Sequence, residues 1–181
     1  LDGAKQVFLK CGFAGTSMDA VAAKAGASKM TVYRHFGSKE ALFAGVIGQL
    51  CQKIVGDEFD EVLARPPQAA LRAFAEKMVA IVFAPETLEL HRIVIAESRR
   101  FPKLGRMFYD SGPKICIDVL AKYLAGHRKS LKIEDPRRCA EEFLELLRGY
   151  AHLRVILGLE KAPSRREIEQ RIEAAVRHVL R

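Results

Sequence analysis

Apolar residues recur every third or fourth position along almost all of the 181-residue chain, and no stretch alternates apolar with polar residues long enough to read as a strand. That period lays a buried stripe along one side of a helix, so the chain is expected to be all-α, with about nine helices. Hydrophobic residues make up 49% and charged residues 29%, enough to bury a core and too apolar for extended disorder. The length exceeds one typical domain of ~100 to 150 residues, which leaves room for a small domain joined to a larger one.

Capping and breaking residues divide the pattern. Leu1, Ala4, Val7, Phe8 and Cys11 form one face of a first helix, which Gly12 is expected to end in a left-handed conformation. A second, short helix starts at Thr16 or Ser17, with Asp19 complementing the positive end of its dipole, and stops at Gly26. Ala25-Gly26-Ala27-Ser28 reads as a tight turn, and Ser28 caps a third helix through Met30, Val32, Tyr33 and Phe36 to Gly37. Ser38 caps a long fourth helix with Leu42, Phe43, Val46, Ile47, Leu50 and Ile54 on one side, weakened by Gly45, Gly48 and Gly56.

Further helices are expected from Pro66-Pro67 to Ala84, from Pro85 to about Arg100, and from Pro102 through Tyr109. Gly112-Pro113 breaks or kinks the chain before a helix to about Arg128, and a loop follows over 129–134. Asp135-Pro136 launches a helix to about Leu157. Ser164-Arg165-Arg166-Glu167 fits a capping box, opening a helix with Ile168, Ile172, Ala175, Val176 and Val179 on one face.

Two short helices around a glycine-containing turn match a helix-turn-helix, whose second helix enters the DNA major groove. The third helix has the two faces this needs. Ser28, Lys29, Met30, Thr31, Arg34 and His35 are polar or extended, whereas Val32 and Phe36, four residues apart, serve as inward anchors. The net charge of +8 favours a polyanionic partner, and Lys24, Lys29, Arg34 and Lys39 follow one another with no acidic residue between them. A basic stretch is by itself more often a solvated face, and Lys24 is left out of the site for that reason.

Phe13-Ala14-Gly15-Thr16-Ser17-Met18, Val21-Ala22-Ala23-Lys24-Ala25-Gly26-Ala27-Ser28-Lys29 and Thr31-Val32-Tyr33-Arg34-His35-Phe36-Gly37-Ser38-Lys39-Glu40-Ala41-Leu42 together resemble the TetR-family DNA-binding domain. The resemblance implies a helix-turn-helix domain over residues 1–48 and a helical effector-binding and dimerisation domain over 49–181. It implies phosphate contacts from Thr16, Ser17, Tyr33, His35 and Lys39, and base contacts from Ser28, Lys29, Met30, Thr31 and Arg34. The residues alone leave Tyr33 open as a packing residue and Lys39 as a solvated one. Met30 stands where family members often carry glycine, so the operator cannot be taken over from a relative.

His91 to Leu104 and Phe108 to Pro113 further resemble the AefR-like subgroup. The family likeness implies a homodimer on a palindromic double-stranded operator, usually as a repressor, released by a small-molecule effector. Phe143, Leu147, Tyr150 and Leu157, with Ile168, Ile172, Val176 and Val179, are the expected intermolecular four-helix bundle, although the same stripes suit the core of one subunit. Phe74, Met78, His91, Ile95, Phe108, Tyr109, Ile115 and His152 are candidate effector-pocket residues, each also suited to an ordinary core. The effector is expected between the fourth helix and the Gly112-Pro113 segment, where it would swing the fourth helix.

Cys11, Cys51, Cys116 and Cys139 have neither C-x-x-C nor zinc-ligand spacing, so no disulfide framework, metal or cofactor is expected. None of His35, His91, His127, His152 or His178 follows a Glu at three positions, which argues against a di-iron bundle. P-loop and G-x-S-x-G motifs are missing as well, so an enzyme is not expected. No apolar run approaches ~20 residues and no signal peptide is visible, which predicts a cytoplasmic protein without a membrane partner. The chain opens at Leu1 within a helical pattern, so residues upstream are expected.

Overall fold

The computed structural model describes residues 1–56 and 59–180. Its helices are α1 (Asp2–Gly15), α2 (Met18–Ala25), α3 (Lys29–Phe36), α4 (Lys39–Val55), α5 (Phe59–Leu63), α6 (Pro67–Val82), α7 (Pro85–Glu97), α8 (Pro102–Ser111), α9 (Pro113–Gly126), α10 (Pro136–Ile156) and α11 (Arg165–Val179). No strand occurs among the described residues, as the all-α reading expects. The addition to the expected helices is α5, five residues long, too short for a periodic stripe to announce it.

The capping signals act where the sequence carries them. Ser17 Oγ accepts from the Ala20 amide at 3.1 Å, Ser28 Oγ from Thr31 at 3.1 Å and Ser38 Oγ from Ala41 at 3.1 Å. Asp135 takes the amides of Arg137 and Arg138, and Ser164 with Glu167 closes a reciprocal capping box. Gly26 ends α2 in the left-handed region at φ 63°, ψ 28°. Gly12 behaves differently from expectation: at φ 68°, ψ 178° it adopts a conformation essentially reserved for glycine, and the helix kinks there and resumes to Gly15 instead of stopping.

The chain divides into two compact units by packing rather than by linear order. The first comprises Leu1–Cys51 with Pro85–Lys114, the second Gln52–Ala84 with Ile115–Arg181. In the first unit, α1 packs on α2 and α7, α2 on α3, and α7 on α8. Its core is aromatic: Phe8, Phe13 and Phe43 are fully buried, with ring centroids 4.9 Å apart for Phe8 and Phe43, 5.8 Å for Phe13 and Phe43, and 6.0 Å for Phe8 and Phe13. Phe101, just before α8, adds a fourth ring 5.1 Å from Phe13, and Lys5 pairs with Glu86 at 2.7 Å. Residues remote in sequence thus hold α7 and α8 against the first helices.

In the second unit, α11 packs on α10 and α6, and α6 also meets α5 and α10. Leu71, Phe74, Ala75, Phe143, Leu147, Ile172 and Ala175 are buried there to within 1% exposure. Phe74 and Phe143 approach to 6.3 Å between centroids. Arg72 on α6 pairs with Glu169 on α11 at the surface. No described helix is long and apolar enough to cross a membrane, and no described cluster of His, Cys, Asp and Glu is suited to hold a metal ion.

Candidate nucleic-acid interface

Within the first unit, α2, the Gly26 turn and α3 form a helix-turn-helix. Val32 anchors α3 inward at 6% exposure, with Phe36 half-buried beside it, and the opposite face is open. Met30 is 76% exposed and Tyr33 42%, while Arg34 and His35 are exposed as well. Arg34 has no ion-pair partner among the described residues, so its five donors are available as a planar fork.

Other expected contact residues are already engaged. Ser28 caps α3, and its hydroxyl also lies 2.8 Å from that of Thr31, so the two satisfy each other at the helix start. Lys29 Nζ pairs with Asp19 Oδ2 at 2.9 Å, and the hydrogen bond and charge of Asp19 hold its ammonium above the usual lysine range. Both partners are exposed, a setting in which such a pair is weak and can be exchanged for a phosphate or a base.

Thr16 is 3% exposed and its hydroxyl donates to the Gly12 carbonyl at 2.7 Å. It satisfies the backbone at the kink of α1 and presents no hydroxyl outward, whereas Ser17 beside it is exposed. Lys39 Nζ donates to the carbonyls of Thr16 at 2.9 Å and Ala14 at 3.3 Å, and lies 4.7 Å from the Phe13 ring centroid. Two of its three donors therefore tie α4 to the α1–α2 corner, leaving one for an outside acceptor. Lys39 is thus held in place and not loosely solvated, the alternative to a phosphate contact that the residues alone leave open.

The expected effector residues separate into the two units. In the first, the His91 and Phe108 rings meet edge to face at 5.1 Å, while Ile95 and Tyr109 are exposed at 63% and 45%. In the second, Phe74 and Met78 are buried core residues and Ile115 is half-buried. A groove of about 410 Å³ between α6 and α11 is lined by Gln68, Arg72, Glu173, Val176, Arg177 and Leu180, none of them an expected effector residue. Gly112, at the end of α8, lies directly on α4: a Cβ there would stand 2.9 Å from Ile47 Cγ2, and the Cys51 thiol donates to the Gly112 carbonyl at 3.7 Å. At that point the space between α4 and the Gly112-Pro113 segment is filled by protein.

His152, half-buried on α10, sits 5.7 Å from the Phe83 ring, and burial, then the charge of Arg148, push its pKa down to about 4 against an opposing pull from Glu145. A folded-state pKa below the unfolded value of about 6.5 means the unfolded chain binds the extra proton first as pH falls. Stability is therefore expected to drop between about pH 6.5 and 4, by less in His152→Gln than in the native chain; melting temperatures of both across that range test it. Parallel pH profiles would remove His152 as the cause.

The expected dimer residues also separate. Phe143, Leu147, Ile172, Val176 and Val179 are at most 6% exposed within one chain, and Ile168 is half-buried. Residues so deeply covered have little surface left to give to a partner. Exposed instead is a second stripe on α10: Leu146 at 40%, Tyr150 at 78%, Leu153 at 47% and Leu157 at 62%. Of the eight expected residues, Tyr150 and Leu157 belong to it; Leu146 and Leu153 are not among the eight, although spacings of four, three and four make the stripe visible in the sequence. α10 kinks within this stripe at Gly149, at φ 50°, ψ −162°.

The chain matches the sequence model of the bacterial regulatory proteins of the tetR family over residues 1–46 and that of the AefR-like transcriptional repressor C-terminal domain over residues 69–181. It belongs to the TetR family of bacterial transcriptional regulators, a family of regulators and not of enzymes. It is similar to the HTH-type transcriptional regulator RutR of Escherichia coli O157:H7, at 29% identity over 137 residues, 72% of this chain and 54% of that protein. The chain spans about half the length of the curated relatives it matches. Among solved structures, a TetR-family transcriptional regulator from Mesorhizobium loti MAFF303099 superposes with a TM-score of 0.81 at 29% identity, covering 99% of this chain and 92% of that one. The flavonoid-responsive regulator FrrA is 39% identical, with a TM-score of 0.73 and the same coverage.

Proposed function

We propose that this chain is a ligand-responsive repressor that binds a palindromic operator as a homodimer through residues 1–48. The observation that carries the reading is the outer face of α3, where Met30, Tyr33 and Arg34 stand exposed on a helix capped by Ser28 and anchored by Val32. Arg34 donates to the edge of a guanine, Met30 packs on a thymine methyl, and Lys29 exchanges Asp19 for an acceptor on the duplex. Tyr33, His35 and Ser17 contact phosphates, with the third donor of Lys39 beside them. Thr16 acts indirectly, by satisfying the carbonyl at the Gly12 kink of α1 just ahead of the Ser17 cap of α2.

The dimer forms through the exposed stripe Leu146, Tyr150, Leu153 and Leu157 of α10, and a palindromic operator asks of it two α3 helices one turn of DNA apart, ~34 Å. Residues 49–181 carry the effector site and this interface. An effector changes operator affinity by favouring one dimer geometry, and the direct seat of Gly112 on Ile47 passes the change to α4. The flavonoid response named for FrrA makes a planar aromatic polyphenol the first effector class to test. The absence of a long apolar helix among the described residues suits a cytoplasmic site of action.

The test is operator selection from a random duplex pool, followed by binding of native protein and Arg34→Ala to the selected duplex and its single-base variants. Arg34→Ala is expected to weaken binding by about 1–3 kcal/mol and to relax preference at one position per half-site. Selection of no common sequence, or an Arg34→Ala protein with unchanged base preference, would overturn base reading by α3.

A further inference from the structure

A second basic surface lies outside the helix-turn-helix but in the same compact unit. Arg99, Arg100, Lys103 and Arg106 fall within eight positions at the α7–α8 turn, all exposed, and none has an ion-pair partner among the described residues. The turn carrying them is well fixed. The Phe101 amide donates to Glu97 at 2.8 Å, the Leu104 amide to Phe101 at 2.9 Å, and Leu104 is fully buried.

Its position follows from a chain of direct contacts. Phe101, in the middle of the cluster, stacks edge-on against Phe13 at 5.1 Å. The Phe13 ring carries Lys39 Nζ at 4.7 Å, and Lys39 in turn holds the Thr16 carbonyl at 2.9 Å, one residue before the Ser17 cap of α2. The basic turn is thus braced to the corner from which α2 meets the duplex. Arg100 packs on the Phe101 ring at 5.3 Å, which orders part of the cluster without neutralising it.

We propose that the α7–α8 turn is an auxiliary DNA-backbone surface: Arg99, Arg100, Lys103 and Arg106 contact phosphates flanking the half-site, extending the footprint beyond α2 and α3. This rests on the DNA-binding reading above. Duplex DNA offers a charge every ~1.7 Å of its axis beyond the phosphates that α2 and α3 grip, and four cations braced through Phe101 and Phe13 to the α1–α2 corner meet that continuing ladder. Phosphate contacts of this kind add affinity and salt dependence and leave base preference unchanged.

The experiment compares the selected core operator with the same operator extended by about ten base pairs, one further helical turn, on each side. Native full-length protein and a quadruple Arg99→Gln, Arg100→Gln, Lys103→Gln, Arg106→Gln variant are titrated on both duplexes across a salt series. Native protein is expected to bind the extended duplex about tenfold more tightly, with a steeper salt slope; the variant loses that gain and about 0.9 of slope per lost contact, while core-duplex affinity stays within about twofold. Retained core binding doubles as the check that the variant folds. A variant with the three arginines changed to lysine should keep the gain, because a phosphate needs the charge and not the fork.

An equal loss on both duplexes, or a gain that survives the quadruple change, overturns the proposal. So does a loss confined to the complex carrying a second dimer, which would make the turn a protein–protein surface. Native protein that selects no sequence but still gains on longer DNA would remove the base-reading function alone, and the flanking contact would stand.

Discussion

Phe43→Ala is expected to destabilise the first unit by about 3–5 kcal/mol, the range for deleting a buried phenylalanine from a packed core. Phe43 is fully buried and meets two rings, Phe8 at 4.9 Å and Phe13 at 5.8 Å, both near perpendicular to it. Truncation removes its own burial and both edge contacts, and the surrounding structure relaxes only partly into the space left. Against a typical total stability of 5–15 kcal/mol the loss is large. Because Phe13 also supports Lys39 and Phe101, operator binding should fail at a lower temperature than in the native protein. Denaturant midpoints checked by near-ultraviolet circular dichroism measure the effect; a loss below about 1 kcal/mol would mean that the cluster repacks around the gap.

Tyr150→Glu combined with Leu153→Glu is expected to convert the proposed dimer to monomer and to weaken operator binding by at least about a hundredfold, since two linked half-site contacts gain 10²–10⁴ in avidity over one. Both side chains are exposed in the single chain, at 78% and 47%, so the charges cost the isolated fold little. At a two-fold axis each glutamate would meet an apolar surface and its own symmetry mate, losing hydration without gaining a partner. Sedimentation velocity gives the mass and far-ultraviolet circular dichroism the retained helix. A double variant that remains a dimer would place the interface elsewhere than the α10 stripe. Phe143→Glu is the contrasting case: at 0% exposure it should unfold the second unit before any question of assembly arises.

Several functional assignments turn on which side chains the fold has already engaged. Thr16, Ser28, Lys29 and Lys39 are the residue types that bind phosphate or bases, and the sequence offers no sign that Thr16 is buried on the Gly12 carbonyl or that Lys39 holds two carbonyls of the α1–α2 corner. The Thr16 bond is local, to the carbonyl four residues back at the end of α1, whereas the two Lys39 acceptors are 23 and 25 residues away and become neighbours only when α4 packs on the α1–α2 corner. Arg34 and Met30, by contrast, are readable as an outer face because their separation from Val32 and Phe36 is a property of one helix, whereas the exposure of Tyr33 is not, since the residues alone leave it open as a packing residue.

Most helix starts and several stops follow from local sequence signals. A serine two or three residues before an amide, a glycine able to adopt positive φ, and a Glu three residues after a capping serine act over one turn, so Ser17, Ser28, Ser38, Gly26, Asp135 and the Ser164–Glu167 box cap or end helices as their spacing predicts. Gly12 shows the limit of that local logic, since the positive φ was legible but the resumption of the helix after it was not. That 85–114 joins the first fifty-one residues, and that Phe143 and Leu147 face inward while Tyr150 and Leu157 face out, depends on long-range packing. The physical reason is common to both. An apolar stripe specifies that it will be covered, not by what, and α10 carries two such stripes of the same period that only packing against other helices tells apart.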